Sequence, residues 1–194
     1  MTTSSMTTPN TLANLLAPLI ALQRLLARFD DQGLVIGGVA ASLLGKPRLT
    51  ADVDAVMLVS TDDLPRLIQA AAQEGLTTRI TDAEAFARRN RVLLLQHQET
   101  GIGVDISLGM LPFEVEAVER GILHSLGEVS IRLPTPEDLV IFKAVAHRPK
   151  DLLDIQAIIA SHPDLDRVRI EDWTRQFAQA LDMPELWDDI AKLF

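Results

Sequence analysis

Three features of this 194-residue chain predict an α/β (α+β) protein in which a mixed sheet flanked by helices is followed by a lobe of helices alone. Apolar runs of strand length alternate with stretches of helical period up to about Leu133. Beyond that point every periodic stretch is helical. The junction between the two regimes, LPTPEDLVIFK, carries the marks of a helix start. Thr135 suits an N-cap, Pro136 the first helical position, and Glu137 with Asp138 the positive end of a helix dipole. The expected organisation is a disordered tail at 1–10, an α/β domain with an N-terminal helix at 11–133, and a C-terminal helical lobe at 134–194.

The elements follow in order. Leu12, Leu15, Leu16, Leu19, Leu22, Leu25 and Leu26 recur at helical spacing, so 11–30 reads as an amphipathic helix, restarted or kinked at Pro18. Its apolar stripe suits either a cap on the body of the monomer or a dimer face. Then come a strand at 33–37, a short helix at 39–45, a strand at 52–59, a helix at 62–74, a strand at 76–80, a helix at 82–89, and strands at 91–97 and 103–108. Residues 112–133 are mixed. The later helices are punctuated by Pro149, Pro163 and Pro184.

Composition removes several classes of function. There is no cysteine, hence no disulfide framework and no thiolate metal site. The four histidines, His97, His124, His147 and His162, have no helical ligand spacing and read as surface or capping residues. The N-terminal apolar stretch is interrupted by Asn14 and Pro18 and is too short to span a bilayer, so no membrane role and a cytoplasmic location are expected. A formal net charge of −9 argues against a general nucleic-acid binder, because neutralising phosphates takes a dense basic surface. A local patch remains open, at Arg79, Arg88, Arg89 and Arg91 or at Lys143, Arg148 and Lys150, against the alternative of ordinary ion pairs.

Chemistry concentrates in LVIGGVAASLLGKPRLTADVDAVML. Gly37 and Gly38 end a strand and open a helix, where exposed N–H groups and the helix dipole favour a phosphate and the missing side chains let it approach. Ser42 adds a hydroxyl one turn on. Pro47 stands where a Walker A loop requires Ser or Thr, so that motif is excluded. Asp52 and Asp54, at i and i+2 of a strand, point to one face. Two carboxylates held so close are costly unless a cation neutralises them, and oxygen-only ligation suits Mg²⁺ or Mn²⁺. Two solvated aspartates at a strand end are the alternative. Asp105, in GIGVDISLG, adds a third carboxylate on a second apolar strand. A pair and a singlet on neighbouring strands make a ligand set for two divalent ions acting on a phosphoryl group.

The pattern Gly-Gly, spacer, Asp-hydrophobic-Asp-hydrophobic and a later isolated Asp resembles the nucleotidyltransferase superfamily of polymerase-β-like fold. RLTADVDAVM and PTPEDLVIFKAVAHRPKDLLDI narrow the likeness to AbiEii-type nucleotidyltransferases and their minimal relatives, which include toxins of toxin–antitoxin pairs. The resemblance covers roughly residues 33–160. It implies that Asp52, Asp54 and Asp105 hold the metal ions, with Asp105 also able to help deprotonate an acceptor hydroxyl. It implies that Gly37, Gly38 and Ser42 grip the β- and γ-phosphates of an NTP, and that Lys143 is a point charge on the triphosphate. Lys150, Asp151 and Asp154 match the KD..D element that lines the cleft. Arg48 either contacts nucleotide or acceptor or forms an ion pair with Asp52 or Asp54. His147 and Arg148 receive no role.

The expected activity is transfer of an NMP group from an NTP to a hydroxyl of RNA, protein or a small molecule, with release of pyrophosphate, in a toxin or phage-defence setting with an antitoxin partner. Two other readings stay open: a nucleotide-sensing or protein-binding module without turnover, and an antibiotic-modifying nucleotidyltransferase, whose polycationic acceptor would suit the acidic charge.

Overall fold

A computed structural model describes residues 10–127 and 129–194. The expected disordered tail lies outside the described residues except for Asn10.

The chain enters through a 3₁₀ segment, Asn10–Leu15, and continues as α1, Leu16–Ala27. The helix restarts just ahead of Pro18, which falls in its first turn, where a missing N–H leaves no hydrogen bond unmade. Leu12, Leu15, Leu19, Leu22, Leu25 and Leu26 are all buried, so the leucine stripe caps the chain's own core. Each such side chain contributes roughly 1.5–3 kcal/mol relative to exposure.

Beyond α1 come β1 (Gly33–Ile36), α2 (Gly37–Leu44), β2 (Asp52–Met57), α3 (Leu64–Gln73), β3 (Leu76–Thr78), α4 (Ala83–Asn90), β4 (Val92–His97) and β5 (Gly103–Leu108). The five strands form one sheet in the order β1-β2-β5-β4-β3. Only the central pair, β2 and β5, is parallel; the other neighbours are antiparallel. This is the mixed sheet that the sequence predicts, with strand and helix ends shifted by a few residues.

The stretch 112–133 resolves into α5 (Pro112–Glu119) and a hairpin of β6 (Ile122–Leu126) and β7 (Val129–Leu133). Glu114 closes the start of α5 by accepting from the N–H groups of Met110 and Leu111, both at 2.8 Å. Four helices follow: α6 (Pro136–Ala146), α7 (Pro149–Ser161), α8 (Arg167–Leu181) and α9 (Glu185–Ala191). Thr135 caps α6 as expected, its hydroxyl accepting from the Asp138 N–H at 3.2 Å. Phe113 of α5 packs edge-on against Phe142 of α6 and Phe177 of α8, with ring centroids 4.8 Å and 5.6 Å away. The buried residues on both sides of Leu133 belong to one hydrophobic cluster. The helices therefore stand fixed against the sheet, and α6 and the start of α7 face the end of β2 and β5.

Buried polar groups support that arrangement. Asp138, fully buried at the start of α6, accepts from Arg120 Nε at 3.1 Å and from Arg169 Nε at 2.7 Å, and Arg169 also holds Glu116 at 2.8 Å. This cluster ties α5, α6 and α8 together with its carboxylate matched by two guanidinium groups. Among the described residues no helix is long and apolar enough to cross a membrane.

Candidate active site

The parallel pairing of β2 and β5 decides where the acidic residues go. Asp54 stands directly opposite Asp105 in register, and Asp52 opposite Gly103. Adjacent strands lie about 4.8 Å apart and residues two apart share a face, so the three carboxylates project from the same side of neighbouring strands. The alternating residues of the pair, Val53 and Val104, are buried on the opposite side.

Asp54 and Asp105 line a cleft of about 210 Å³ between this face and the helices. Gly37, Val92 and Ser107 complete the sheet side, and Phe142, Lys143, Arg148 and Asp151 the helix side. Asp52 lies at the entry of β2, where its carboxylate accepts from the Thr50 hydroxyl at 3.2 Å. It is not a cleft-lining residue, yet its charge is felt. Burial is the main cause that pushes the Asp54 carboxyl above its ordinary value, and repulsion from Asp52 and Asp105 adds to it, while the Gly38 N–H and Lys143 pull the other way. A crowded anionic pocket of this kind is relieved by a divalent cation, and the all-oxygen donor set suits Mg²⁺ or Mn²⁺. The donors are not gathered beforehand: among the described residues no three His, Asp or Glu groups stand ready around one point.

The glycine turn fits tightly beneath Asp54. Gly37 has φ +63°, and a Cβ added there would fall inside the Asp54 carboxylate. Both conditions exclude a side chain. Gly37→Ala is expected to cost about 1–2 kcal/mol from the left-handed backbone alone, read by chemical denaturation, and to displace Asp54. A variant as stable as wild type would refute this account of the turn.

Opposite the carboxylates lies a second charged cluster, whose Lys143, Asp151 and Asp154 are buried while its two arginines reach solvent. Lys143 of α6 donates to Asp151 at 3.1 Å and to Asp154 at 2.8 Å, both on α7. Arg148 donates through Nε to Asp151 at 2.6 Å. Arg48 grips Asp154 with both Nε and Nη2, at 2.7 Å and 2.8 Å. Burial pushes Asp151 and Asp154 up, but hydrogen bonds from these cations outweigh it and hold both carboxyls below their ordinary value. Three cations thus face two carboxylates. The surplus positive charge belongs to a cluster whose Lys143 and Arg148 line the cleft across from Asp54.

Several expectations from the sequence need correction. Ser42 is buried, and its hydroxyl donates to the Arg48 carbonyl at 3.0 Å, so it braces the 45–51 loop and does not reach the cleft. Arg48 pairs with neither Asp52 nor Asp54; its partner is Asp154, 106 positions away, which α7 brings beneath the loop. Lys150 is exposed and stands outside the cleft. Asp154 sits behind the cleft wall, holding Arg48 and Lys143. Lys143, expected as a point charge, lines the cleft from a buried position between Asp151 and Asp154. Arg148, left without a role by the sequence, lines the cleft; its spacing of three from Asp151 across the start of α7 is the signal that could have found it. Of the Arg79 group, Arg88 pairs with Glu84 and Arg91 donates to the Leu108 carbonyl, whereas Arg79 bonds to Asp105 at the edge of the site. None of the four histidines lines the cleft.

Comparison with known proteins bears on the family and the fold. The family model described as nucleotidyl transferase AbiEii toxin, type IV toxin–antitoxin system, matches residues 20–190. No curated protein matches in sequence. Among solved structures, an antigenic nucleotidyltransferase-like protein from Paracoccidioides brasiliensis aligns with a TM-score of 0.54 at 15% identity, over 95% of this chain and 94% of that one. The solution structure of antibiotic-resistance factor ANT(2'')-Ia aligns with a TM-score of 0.52 at 14% identity, over 87% of this chain and 95% of that one. At such identities the likeness is one of fold.

Proposed function

The chain belongs to the AbiEii nucleotidyltransferase toxin family, and we propose that it moves an NMP group from an NTP to a hydroxyl acceptor in the cleft between β2–β5 and α6–α7. The observation that carries this reading is the placement of Asp54 and Asp105 opposite each other on adjacent strands, beside the Gly37 turn and across from Lys143 and Arg148. One wall is anionic and has the donor set for a cation. The other carries surplus positive charge that suits a phosphate chain.

Asp52, Asp54 and Asp105 would hold Mg²⁺ or Mn²⁺, which when bound would supply charge neutralisation for the phosphates. Lys143 and Arg148 would attract the non-bridging phosphate oxygens. Lys143 is prevented from moving far by Asp151 and Asp154, so it offers a fixed charge that needs little reorganisation. In the transfer, the acceptor oxygen bonds to the α-phosphorus and the bond from that phosphorus to the β-bridging oxygen breaks. Pyrophosphate leaves with the electron pair. The acceptor's proton passes to a carboxylate at the site, for which Asp105 is the candidate. The acceptor is a hydroxyl of RNA, protein or a small molecule, and an antitoxin is the expected partner, as the family description suggests.

Incubation with each α-labelled NTP and Mg²⁺ or Mn²⁺ tests this, with total RNA, the protein itself and host extract offered as acceptors. Label is expected on an acceptor with wild type and not with the Asp52→Asn/Asp54→Asn double variant. NTP binding that depends on Mg²⁺ without any transferred label would favour a nucleotide-sensing module. Equal labelling by the double variant would remove these carboxylates from the mechanism.

A further inference from the structure

Asp105 already has a cationic partner, and it comes from the far edge of the sheet. Arg79 follows β3, and its backbone N–H donates to the Leu94 carbonyl of β4 at 3.0 Å. Leu94 pairs in register with Asp105 of β5, and Asp105 with Asp54 of β2. Arg79, Leu94, Asp105 and Asp54 therefore form one row across four strands. From β3 to β5 is two strand spacings, about 10 Å, a span that an extended arginine meeting an aspartate can cover. The Arg79 guanidinium bonds to the Asp105 carboxylate, with Leu94 standing between the two in the row. Gly103 leaves room for it: a Cβ there would lie 2.7 Å from Arg79 Nη1.

This pair differs from the buried cluster on the helix side. The side chains of Arg79 and Asp105 are 33% and 26% exposed, against 4% and 0% for Lys143 and Asp151. A pair open to solvent is weakly held and screened, so a competitor of higher charge can replace it.

We infer that Arg79 is the resident counter-cation of Asp105, holding this carboxylate while no divalent ion is bound and yielding it when one enters. The inference rests on the reading of Asp52, Asp54 and Asp105 as cation ligands. Arg79 is on this account a positioning residue. It keeps the acidic row from self-repulsion in the free protein, and it lowers the protein's affinity for a divalent ion in the absence of nucleotide.

Titration of the nucleotide-free protein with Mn²⁺, following the free ion by electron paramagnetic resonance, separates this role from a purely structural one. Arg79→Gln is expected to bind Mn²⁺ about fivefold more tightly than wild type, the scale set by losing one exposed ion pair as competitor. Arg79→Lys, which keeps the charge, should stay near wild type. The gain should vanish in Arg79→Gln/Asp105→Asn, which should bind like Asp105→Asn alone. Thermal melts of each variant establish that the fold is retained. Mn²⁺ binding that requires Asp54 but is unchanged or weakened by Arg79→Gln overturns the inference and leaves the cation-site reading standing. Folded proteins that bind no Mn²⁺ in any form remove that reading and the inference together.

Discussion

Asp54→Asn is expected to abolish nucleotidyl transfer and, in the same protein, to raise thermal stability when no metal is present. Both effects come from one carboxylate. Burial, with Asp52 and Asp105 adding repulsion, holds the Asp54 carboxyl above its ordinary value of 3.8. Below that value the group is protonated in both the folded and unfolded chain and contributes nothing to the pH dependence. As pH rises through 3.8 the unfolded chain ionises first, and the folded state is progressively disfavoured until pH passes the raised folded value. The penalty is complete once pH has passed that raised value. Asparagine has the same shape without the charge, so it removes the penalty and flattens this part of the stability profile. The loss of activity should exceed about a hundredfold, since even groups one contact removed from a metal cost 10–100-fold when replaced. Transfer kinetics and melts between pH 4 and pH 7 give both readings. Full transfer activity would dismiss the site assignment, and a lowered melting temperature would dismiss the electrostatic account.

What the sequence disclosed of this site depended on range. Asp52 and Asp54 were legible because a strand's two-residue period puts them on one face, whatever the strand pairs with. Thr135 and Pro136 were legible as a helix start for the same reason: the signal is local, and α6 begins there. The hairpin at 122–133 was not, because β6 leaves Ile122 and Leu123 exposed and shows no alternation to read. Partners set by tertiary packing were the least accessible. Nothing near Arg48 announces Asp154, and nothing near Arg79 announces Asp105, since each pairing is created by how α7 docks or by the strand order β5-β4-β3. Ser42 shows the opposite failure. A hydroxyl one turn beyond a glycine pair looks like a phosphate contact, but the loop folds back so that the Arg48 carbonyl takes it. The buried state of Lys143 also has a packing cause, because its two aspartates lie on the next helix and only the α6–α7 turn closes them over it.

The second large effect is expected at Asp154, which does not touch the cleft. Its carboxylate holds Arg48 through two bonds and Lys143 through a third, joining the 45–51 loop, α6 and α7. Asp154→Ala takes one of two carboxylates from the buried Lys143, and takes from Arg48, itself 32% exposed, the carboxylate it grips. Breaking a buried pair from one side costs about 3–5 kcal/mol. For a chain of this length that is a fall of roughly 6–20 °C in melting temperature. The pH dependence has the opposite sign to that of Asp54. The Asp154 carboxyl is held below 3.8 in the folded protein, so its stabilisation is complete above that value and is lost as pH falls through the lowered one. Wild type should therefore lose stability steeply in acid, and Asp154→Ala should show a shallower limb there. Because the freed loop leads directly into Asp52, NTP affinity should fall as well, although the substituted residue is behind the wall. An unchanged melting temperature with unchanged NTP affinity would mean that Arg48 and Lys143 are held by the remainder of the fold. A normal melting temperature with lost affinity would instead give the aspartate a direct part in binding.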